Sequence, residues 1–234
     1  MPTAIDVIFT PDFLPFSDLK DKTVVVVDIL RATTTITFAM ANGAVGVTPV
    51  LTPDEAFKLS ANQPNTLIGG ERLGKKVSGF DLGNSPREYI QAVVSGRQIV
   101  LTTTNGTRTL QACRSAKHVL VGCFLNLHAV INALIRVKGE VVFACAGREG
   151  RFCMEDTVFA GACVEALKDA HLTDAGKAAS ILYRTYRYNL SGMLRNCYHG
   201  RYLAGIGLAA DLEFCAQIDI VDFVPIQING EITA

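Results

Sequence analysis

Residues 23–35 read TVVVVDILRATTT, an apolar run that ends in an aspartate and leads into a threonine-rich turn. Four consecutive valines without polar alternation are typical of a strand covered on both faces, as in a parallel sheet between helices. The residues that follow, Ala32–Asn42, predict a helix that stops at Gly43. This order of strand, polar turn and helix predicts an α/β fold.

The same alternation continues along most of the chain. Further strands are predicted over Ala4–Phe9, Val45–Val50, Thr66–Gly69, Gln98–Thr103, His118–Val121, Glu140–Cys145 and Ile218–Val224. Further helices are predicted over Pro53–Ala61, Pro86–Ser95, Thr107–Ser115, Leu125–Val137 and Glu155–Ala170. We therefore predict a three-layer α/β/α fold whose sheet is mostly parallel or mixed.

After about residue 170 the alternation stops. Asp174–Tyr188 and Ser191–Ala204 predict consecutive helices, and a final strand is predicted near Ile220–Ile228. The sequence contains no linker, low-complexity tract or charge run that would divide it. We predict one domain over residues 1–234, with residues 171–217 either a helical cap or an edge of that domain.

Composition argues against several classes of protein. The chain has 234 residues, 49% of them hydrophobic and 19% charged, which is typical of a globular protein. Its 22 Lys and Arg balance 22 Asp and Glu, so we expect no nucleic-acid partner. No apolar run approaches the roughly 20 residues that cross a membrane, and the first residues do not resemble a signal peptide. Seven scattered cysteines suit buried thiols in a reducing compartment, and we expect a cytoplasmic protein without a membrane partner.

Clusters of polar residues follow four of the predicted strands. They are residues 28–35, 69–72, 102–108 and 144–151, the last with Glu155 and Asp156 close behind. Ligands bind outside the carboxyl ends of parallel strands, so parallel strands would bring these clusters to one rim of the sheet. The sequence therefore predicts a single site.

The residue types in these clusters suit an anionic ligand and a hard cation. Carboxylate oxygens suit magnesium or manganese better than zinc, and they come from Asp28, Glu71, Glu149, Glu155 and Asp156. Guanidinium groups bind phosphate, sulfonate or carboxylate in bidentate fashion, and they come from Arg31, Arg72, Arg108, Arg148 and Arg151. We predict a small substrate with more than one charged group.

Simpler structural roles compete with these functions. Threonines before a helix commonly cap it, and Glu155 with Asp156 suits the start of a helix. Asp28 is harder to explain in this way, because a charge at the end of an apolar strand is costly unless it is used. A structural or exposed role suits His118, His128 and His171. Such a role is also the commoner one for His199, although the C-terminal helices could bring this residue to the site.

Long blocks of the sequence resemble the 2-phosphosulfolactate phosphatase family. The blocks are residues 26–35, 69–72, 79–86, 102–108 and 145–156, with residues 199–201 and 211–215 similar as well. The resemblance covers nearly the whole chain in order. It implies magnesium-dependent hydrolysis of 2-phospho-3-sulfolactate to 3-sulfolactate and phosphate. This is a biosynthetic step in organisms that make coenzyme M, although many bacteria carry the family without an obvious need for that product.

Chemistry suggests a role for each candidate residue. The predicted magnesium ligands are Asp28, Glu71 and Asp156, together with Glu149. The predicted phosphoryl-binding residues are Arg31 and Arg108, helped by Thr33, Thr34, Asn105, Gly106 and Thr107. Either Arg148 or Arg151 is predicted to bind the sulfonate and carboxylate end of the substrate.

Three questions stay open at this point. Asp28 is placed like the nucleophile of aspartyl-phosphate enzymes, but Leu30 stands where those enzymes commonly have a second aspartate, so we favour a metal-activated water. The substrate could be another small 2-phospho acid, or the protein could bind phosphorylated metabolites without catalysis. We also expect a symmetric homodimer, as is common among enzymes of this size.

Overall fold

The valine run forms the strand Thr23–Val27, and all five of its residues are buried. In the computed structural model, which describes residues 1–167 and 169–234, this strand lies inside an eleven-stranded sheet. The strands are β1 (Ala4–Ile8), β2 (Thr23–Val27), β3 (Gly46–Pro49), β4 (Thr66–Arg72), β5 (Lys75–Lys76), β6 (Gln98–Thr102), β7 (His118–Gly122), β8 (Glu140–Cys145), β9 (His171–Leu172), β10 (Ile226–Ile228) and β11 (Glu231–Thr233).

Ten helices accompany the strands in the described residues. They are α1 (Ala32–Ala41), α2 (Pro53–Ala61), α3 (Gln91–Val94), α4 (Gly106–Ala112), α5 (Leu127–Ile135), α6 (Met154–Ala166), α7 (Asp174–Tyr186), α8 (Leu190–Asn196), α9 (Tyr198–Gly205) and α10 (Ala209–Cys215). Short 3-10 turns occur at Pro11–Phe16, Pro86–Glu88 and Phe124–Asn126. The predicted α/β fold class is confirmed.

The sheet consists of two halves joined by a hairpin, and each half is parallel except for the short edge strand β5, which pairs antiparallel with β4. Its strand order is β5-β4-β6-β3-β11-β10-β7-β2-β8-β1-β9. Within the first half β2 pairs in parallel with β7 and β8, and within the second half β6 pairs in parallel with β3 and β4. The hairpin of β10 and β11 pairs antiparallel with β7 on one side and with β3 on the other. The sheet is therefore mixed, and the two halves are not one continuous parallel sheet.

The two faces of β2 contact different cores. Val25 and Val27 pack with helices α5 and α6 on one face, whereas Val24 and Val26 pack with α1 and with residues of the second half-sheet on the other. A third, smaller cluster lies between α2 and the second half-sheet. This burial on both faces explains the absence of polar alternation in the valine run.

The predicted strand over Ile218–Val224 is wrong, because those residues form no strand. Of the final strand predicted near Ile220–Ile228, only Ile226–Ile228 is a strand, and it pairs with β11 across the turn at Asn229–Gly230. Both turn residues have positive φ, 51° and 91°, as a tight hairpin turn between strands requires. The Asn-Gly pair was the available sequence signal.

Two predicted helices are divided in the structure. The helix predicted over Pro86–Ser95 is a 3-10 turn followed by α3. The helix predicted over Ser191–Ala204 is interrupted at Cys197, which is extended and ends α8, while its Sγ accepts a hydrogen bond from the Gly200 N–H and starts α9. Helix α10 was not predicted.

The remaining helix boundaries are close to those predicted. The helix predicted over Glu155–Ala170 is α6, and residue 168 of that range lies outside the described residues. Within the described part of the chain, no helix combines the length and apolarity that crossing a membrane requires.

Candidate active site

Asp28 lies where β2 ends and the chain turns into α1. The backbone N–H of Asp28 donates to Thr33 Oγ1 (3.0 Å), and this hydroxyl donates to the Asp28 carbonyl oxygen (2.9 Å). The Ala32 N–H donates to Asp28 Oδ1 (3.3 Å). These local bonds hold the buried carboxylate at the end of the strand.

Three threonines predicted as substrate ligands have local roles instead. Thr33 bonds Asp28 as described, and Thr34 Oγ1 donates to the Ile29 carbonyl oxygen (2.9 Å). Thr107 and Thr103 each accept a backbone N–H from the other through their hydroxyls (3.1 Å). Thr33, Thr34 and Thr107 are 0% exposed, so they shape the two turns and do not line an open cleft.

Gly106, at the start of α4, meets Asp28 from the second half-sheet. A Cβ at Gly106 would lie 2.6 Å from Asp28 Oδ2 and 2.4 Å from the Ala32 Cβ. These distances exclude any side chain at this position. The approach brings the turn after β6 against the turn after β2, although β6 and β2 belong to different halves of the sheet.

Glu71 links the same turn to the end of β4. Its Oε1 accepts the Thr104 N–H (2.7 Å), and its Oε2 accepts the Gly74 N–H (2.7 Å). The side chain is buried. Glu71 thus holds two backbone segments at the edge of the site, and each carboxylate oxygen already has one partner.

Asp156, on the first turn of α6, connects β2 with β8. Its Oδ1 accepts the Ile29 N–H (2.9 Å), and its Oδ2 accepts the Gly147 N–H (3.0 Å). Its neighbour Glu155 is also buried, and its Oε1 lies 3.4 Å from His199 Nδ1. Residues from α6 and α9 therefore meet beside Asp28.

Burial and mutual repulsion perturb these carboxyl groups. Burial raises the pKa of Asp28 from 3.8 to about 6, against the attraction of His199, and the negative charges of Glu71 and Glu155 add to the rise. Burial and the charges of Glu155 and Asp28 raise the pKa of Asp156 well above its usual range. Burial also acts to raise the pKa of Glu155, but His199 outweighs it and holds that pKa below its usual value.

The predicted arginines lie in different surroundings. Arg31 is buried. It donates from Nη1 to Asp211 Oδ2 (2.8 Å) and from Nη2 to the Gly74 carbonyl oxygen (2.9 Å). Asp211 Oδ1 in turn accepts from Ser85 Oγ (2.7 Å). These bonds make Arg31 part of a buried ion pair and give it partners other than the predicted phosphoryl group.

Arg108 and Arg151 are exposed. Arg108 Nη2 lies 3.6 Å from Asp12 Oδ1, and the side chains of both are more than half exposed. Asn105 is half-buried, and its Oδ1 accepts the Glu149 N–H (3.1 Å). The Glu149 side chain is 61% exposed, so this predicted metal ligand lies at the surface of the site.

Two adjoining clefts share Arg148, Glu149 and His199. The larger, of about 250 Å³, is also lined by Cys153, Glu155 and Tyr198. The smaller, of about 30 Å³, is also lined by Glu71, Asn105 and Tyr202. The larger volume lies below the roughly 300–1,000 Å³ typical of sites for drug-sized ligands, so it suits a small metabolite.

The four predicted magnesium ligands do not form one compact ligand group. Among residues 1–167 and 169–234, the one group of three side chains with ligand atoms within 4.8 Å of one another is Cys153, Glu155 and His199. A thiol and an imidazole suit a softer ion than magnesium. The buried carboxylates Asp28, Glu71, Glu155 and Asp156 are hard oxygen donors, and their mutual repulsion is the property that a bound cation would relieve.

Several residues of the site were missed or undervalued in the sequence. His199 and Glu155 lie more than 40 residues apart in sequence, and no local motif joins them. Tyr198 and Tyr202 are four residues apart, which places them on one face of a helix, and this spacing was the available signal. Asp211 lies in a block that resembles the family, but nothing in its sequence neighbourhood points to Arg31.

Fold and site together define an α/β enzyme with a small, highly charged cleft between its two half-sheets and its C-terminal helices. The sequence profile of the 2-phosphosulpholactate phosphatase family matches residues 8–230. A protein of Caldanaerobacter subterraneus subsp. tengcongensis is 44% identical over 218 residues, which are 91% of this chain and 90% of the relative. A protein of Clostridium acetobutylicum is 40% identical over 97% of this chain and 99% of the relative. Both relatives carry the name "Probable 2-phosphosulfolactate phosphatase".

The chain belongs to the 2-phosphosulfolactate phosphatase family. The resemblance noted in the sequence is thereby confirmed over most of the chain.

Proposed function

We propose that the protein hydrolyses 2-phospho-3-sulfolactate to 3-sulfolactate and inorganic phosphate in a magnesium-dependent reaction. One observation carries the proposal: the buried carboxylates Glu71 and Glu155 each line one of two adjoining clefts that share His199 and Arg148. The buried carboxylates Asp28 and Asp156 lie close enough to Glu155 for their charges to repel. The names of the relatives support the same reaction. Phosphoryl transfer depends mainly on positioning and charge neutralisation, which such a set of residues can provide.

The buried carboxylates fit magnesium in chemical type. Among the described residues, the Asp28 carboxylate accepts a hydrogen bond at Oδ1, from the Ala32 N–H, and none at Oδ2. The buried carboxylates Glu71 and Glu155 lie close enough to repel its charge. Asp28 and Glu155 would hold the ion, and the buried carboxylates of Glu71 and Asp156 add negative charge to the site. Magnesium, when bound, supplies a positive charge that polarises the phosphoryl group.

The protein's own residues prepare the rest of the site. Gly106 and the backbone bonds of Thr33 fix the Asp28 carboxylate, and Glu71 fixes the turn that carries Asn105. Glu155 lies against His199 Nδ1, which orients the imidazole and leaves Nε2 for the cleft.

The first test is phosphate release from 2-phospho-3-sulfolactate, with magnesium and with a chelator. 2-Phospholactate and phosphoglycolate serve as competing substrates. We expect magnesium-dependent release that prefers the sulfonated substrate. Release only from the other 2-phospho acids would keep the chemistry and change the substrate. Binding without any release would leave a metabolite-binding protein.

The role of Asp28 is tested separately. An Asp28→Asn variant that still binds magnesium but releases no phosphate would favour a carboxylate nucleophile over a metal-activated water. Asp18→Asn, at an exposed turn, is the matched control and should keep full activity. The homodimer, the cytoplasmic location and a place in coenzyme M biosynthesis stay predictions.

A further inference from the structure

Arg148 is held in place on its backbone by a tight turn after β8. Its N–H donates to the Arg151 carbonyl oxygen (3.0 Å), and its own carbonyl oxygen accepts the Arg151 N–H (2.9 Å). Gly147, with φ of 57°, passes so close to the Arg151 carbonyl oxygen that a Cβ would lie 2.3 Å from it. The turn therefore directs the Arg148 side chain inward, and that side chain is 14% exposed.

The guanidinium group lies against two tyrosine rings of α9. Its central carbon is 4.0 Å from the centre of the Tyr202 ring and 5.2 Å from that of Tyr198. A guanidinium over an aromatic face gains cation–π attraction and keeps its N–H edges free for hydrogen bonds. The two rings thus position the group without using its donors.

One donor of this group lacks an acceptor in the part of the chain that the structure describes. Arg148 Nη1 is buried and has no hydrogen-bond partner among the described residues. The nearest carboxylate, Glu149, is mostly exposed and lies 3.7 Å from Nε, which is too long for a good hydrogen bond. A buried donor without a partner is costly, so it marks a place where a ligand supplies the acceptor.

Both clefts of the site are lined by Arg148, so the acceptor would come from a ligand that also reaches Glu155 and His199. We propose that Arg148, positioned by Tyr202 and Tyr198, binds the sulfonate of the substrate and makes the enzyme select the sulfonated 2-phospho acid. This inference rests on the proposed function, and it makes α9 the element that sets specificity. Arg151, the alternative predicted from the sequence, is exposed, and its guanidinium group lies over no aromatic ring of the described residues.

The test compares two substrates in the full-length protein. In Arg148→Met we expect kcat/KM for 2-phospho-3-sulfolactate to fall by roughly 100-fold, mostly through KM, because a charge-assisted bidentate contact is lost. The value for 2-phospholactate, which lacks the sulfonate, should fall far less. Arg148→Lys should give an intermediate kcat/KM for the sulfonated substrate, because it keeps the positive charge but loses the paired N–H donors of the guanidinium group. Equal losses on both substrates, or no loss on the sulfonated one, would overturn the inference.

Two controls accompany this test: an arginine that lies over a tyrosine ring outside the site, and a variant that removes only the hydroxyl group of Tyr202. The central guanidinium carbon of Arg187 lies 4.7 Å from the centre of the Tyr188 ring, at the exposed end of α7. Arg187→Met should therefore leave kcat/KM unchanged for both substrates. Tyr202→Leu should reduce the preference for the sulfonated substrate, whereas Tyr202→Phe removes only the hydroxyl that donates to the Leu73 carbonyl oxygen (3.0 Å) and should keep it.

Calorimetric titration with 3-sulfolactate separates the two proposals. If the wild-type protein binds 3-sulfolactate and Arg148→Met does not, the sulfonate site is supported. If the wild-type protein then also releases no phosphate, only the proposed reaction fails. Phosphate release with an unchanged substrate preference in Arg148→Met would keep the reaction and reject the sulfonate site. Absence of both release and binding in the wild-type protein would reject both.

Discussion

The regions around Arg31 and Arg148 both connect the strand ends to the C-terminal helices, but they differ in how their charges are satisfied. Arg31 has a buried carboxylate, Asp211, and a backbone carbonyl as partners. Arg148 lies against two aromatic rings, and its Nη1 has no acceptor within residues 1–167 and 169–234. An arginine whose hydrogen-bond donors have protein partners, like Arg31, holds structural elements in place, whereas one with a free donor, like Arg148, is available to a ligand. The difference teaches that burial alone does not identify a binding residue.

Removing one partner of the Arg31 pair should have the largest effect on stability. Asp211→Ala leaves the Arg31 charge buried without compensation and the Ser85 hydroxyl without its acceptor. We expect a loss of about 3–5 kcal/mol in the free energy of unfolding and a fall of roughly 10 °C in Tm. Urea unfolding and thermal melts measure this. A double variant, Arg31→Leu with Asp211→Leu, should recover part of the loss, and Arg148→Met should show no comparable fall. If Asp211→Ala and Arg148→Met destabilise equally, the comparison fails.

A smaller effect of opposite sign is expected at Asp28. Because burial raises its pKa from 3.8 to about 6, the folded state holds a proton that the unfolded state has lost between these pH values. Stability therefore falls as pH rises from about 4 through 6. Asp28→Asn removes this penalty and should raise the free energy of unfolding by up to about 3 kcal/mol at pH 7.5, with the gain shrinking as pH falls towards 4. Chemical unfolding at both pH values checks this, and a gain that is independent of pH would contradict it.

The smallest effect is expected for an ion pair at the surface. Lys177 Nζ lies 3.1 Å from Asp174 Oδ1 on the first turn of α7, and both side chains are exposed. Water and salt screen such pairs, so Lys177→Ala should leave Tm unchanged within error. A Tm shift comparable with that of Asp211→Ala would show that burial is not what distinguishes the Arg31 pair.

The sequence was informative where local physics decides the structure. The valine run predicted β2 and the α/β class, and the clusters after the strands predicted one site from their hard oxygens and arginines. The rest depended on distant contacts. The partner of Arg31 lies about 180 residues away, and the roles of Thr33 and Thr107 depend on which backbone groups their turns leave unpaired. The sequence also predicted that the polar clusters lie along one edge of a single parallel sheet. Because the β10–β11 hairpin separates the sheet into two halves, the site instead forms where the strand ends of both halves come together.

That inserted hairpin has a consequence for how the protein is made. Strand β3 pairs on one side with β6, but its other edge is covered by β11, about 185 residues later in the chain. Until those residues have been synthesised, the second half-sheet has an open strand edge next to apolar side chains. Open edges invite pairing with other chains. The nascent protein therefore passes through a stage in which this edge of β3 is open to pairing with other chains before β11 covers it.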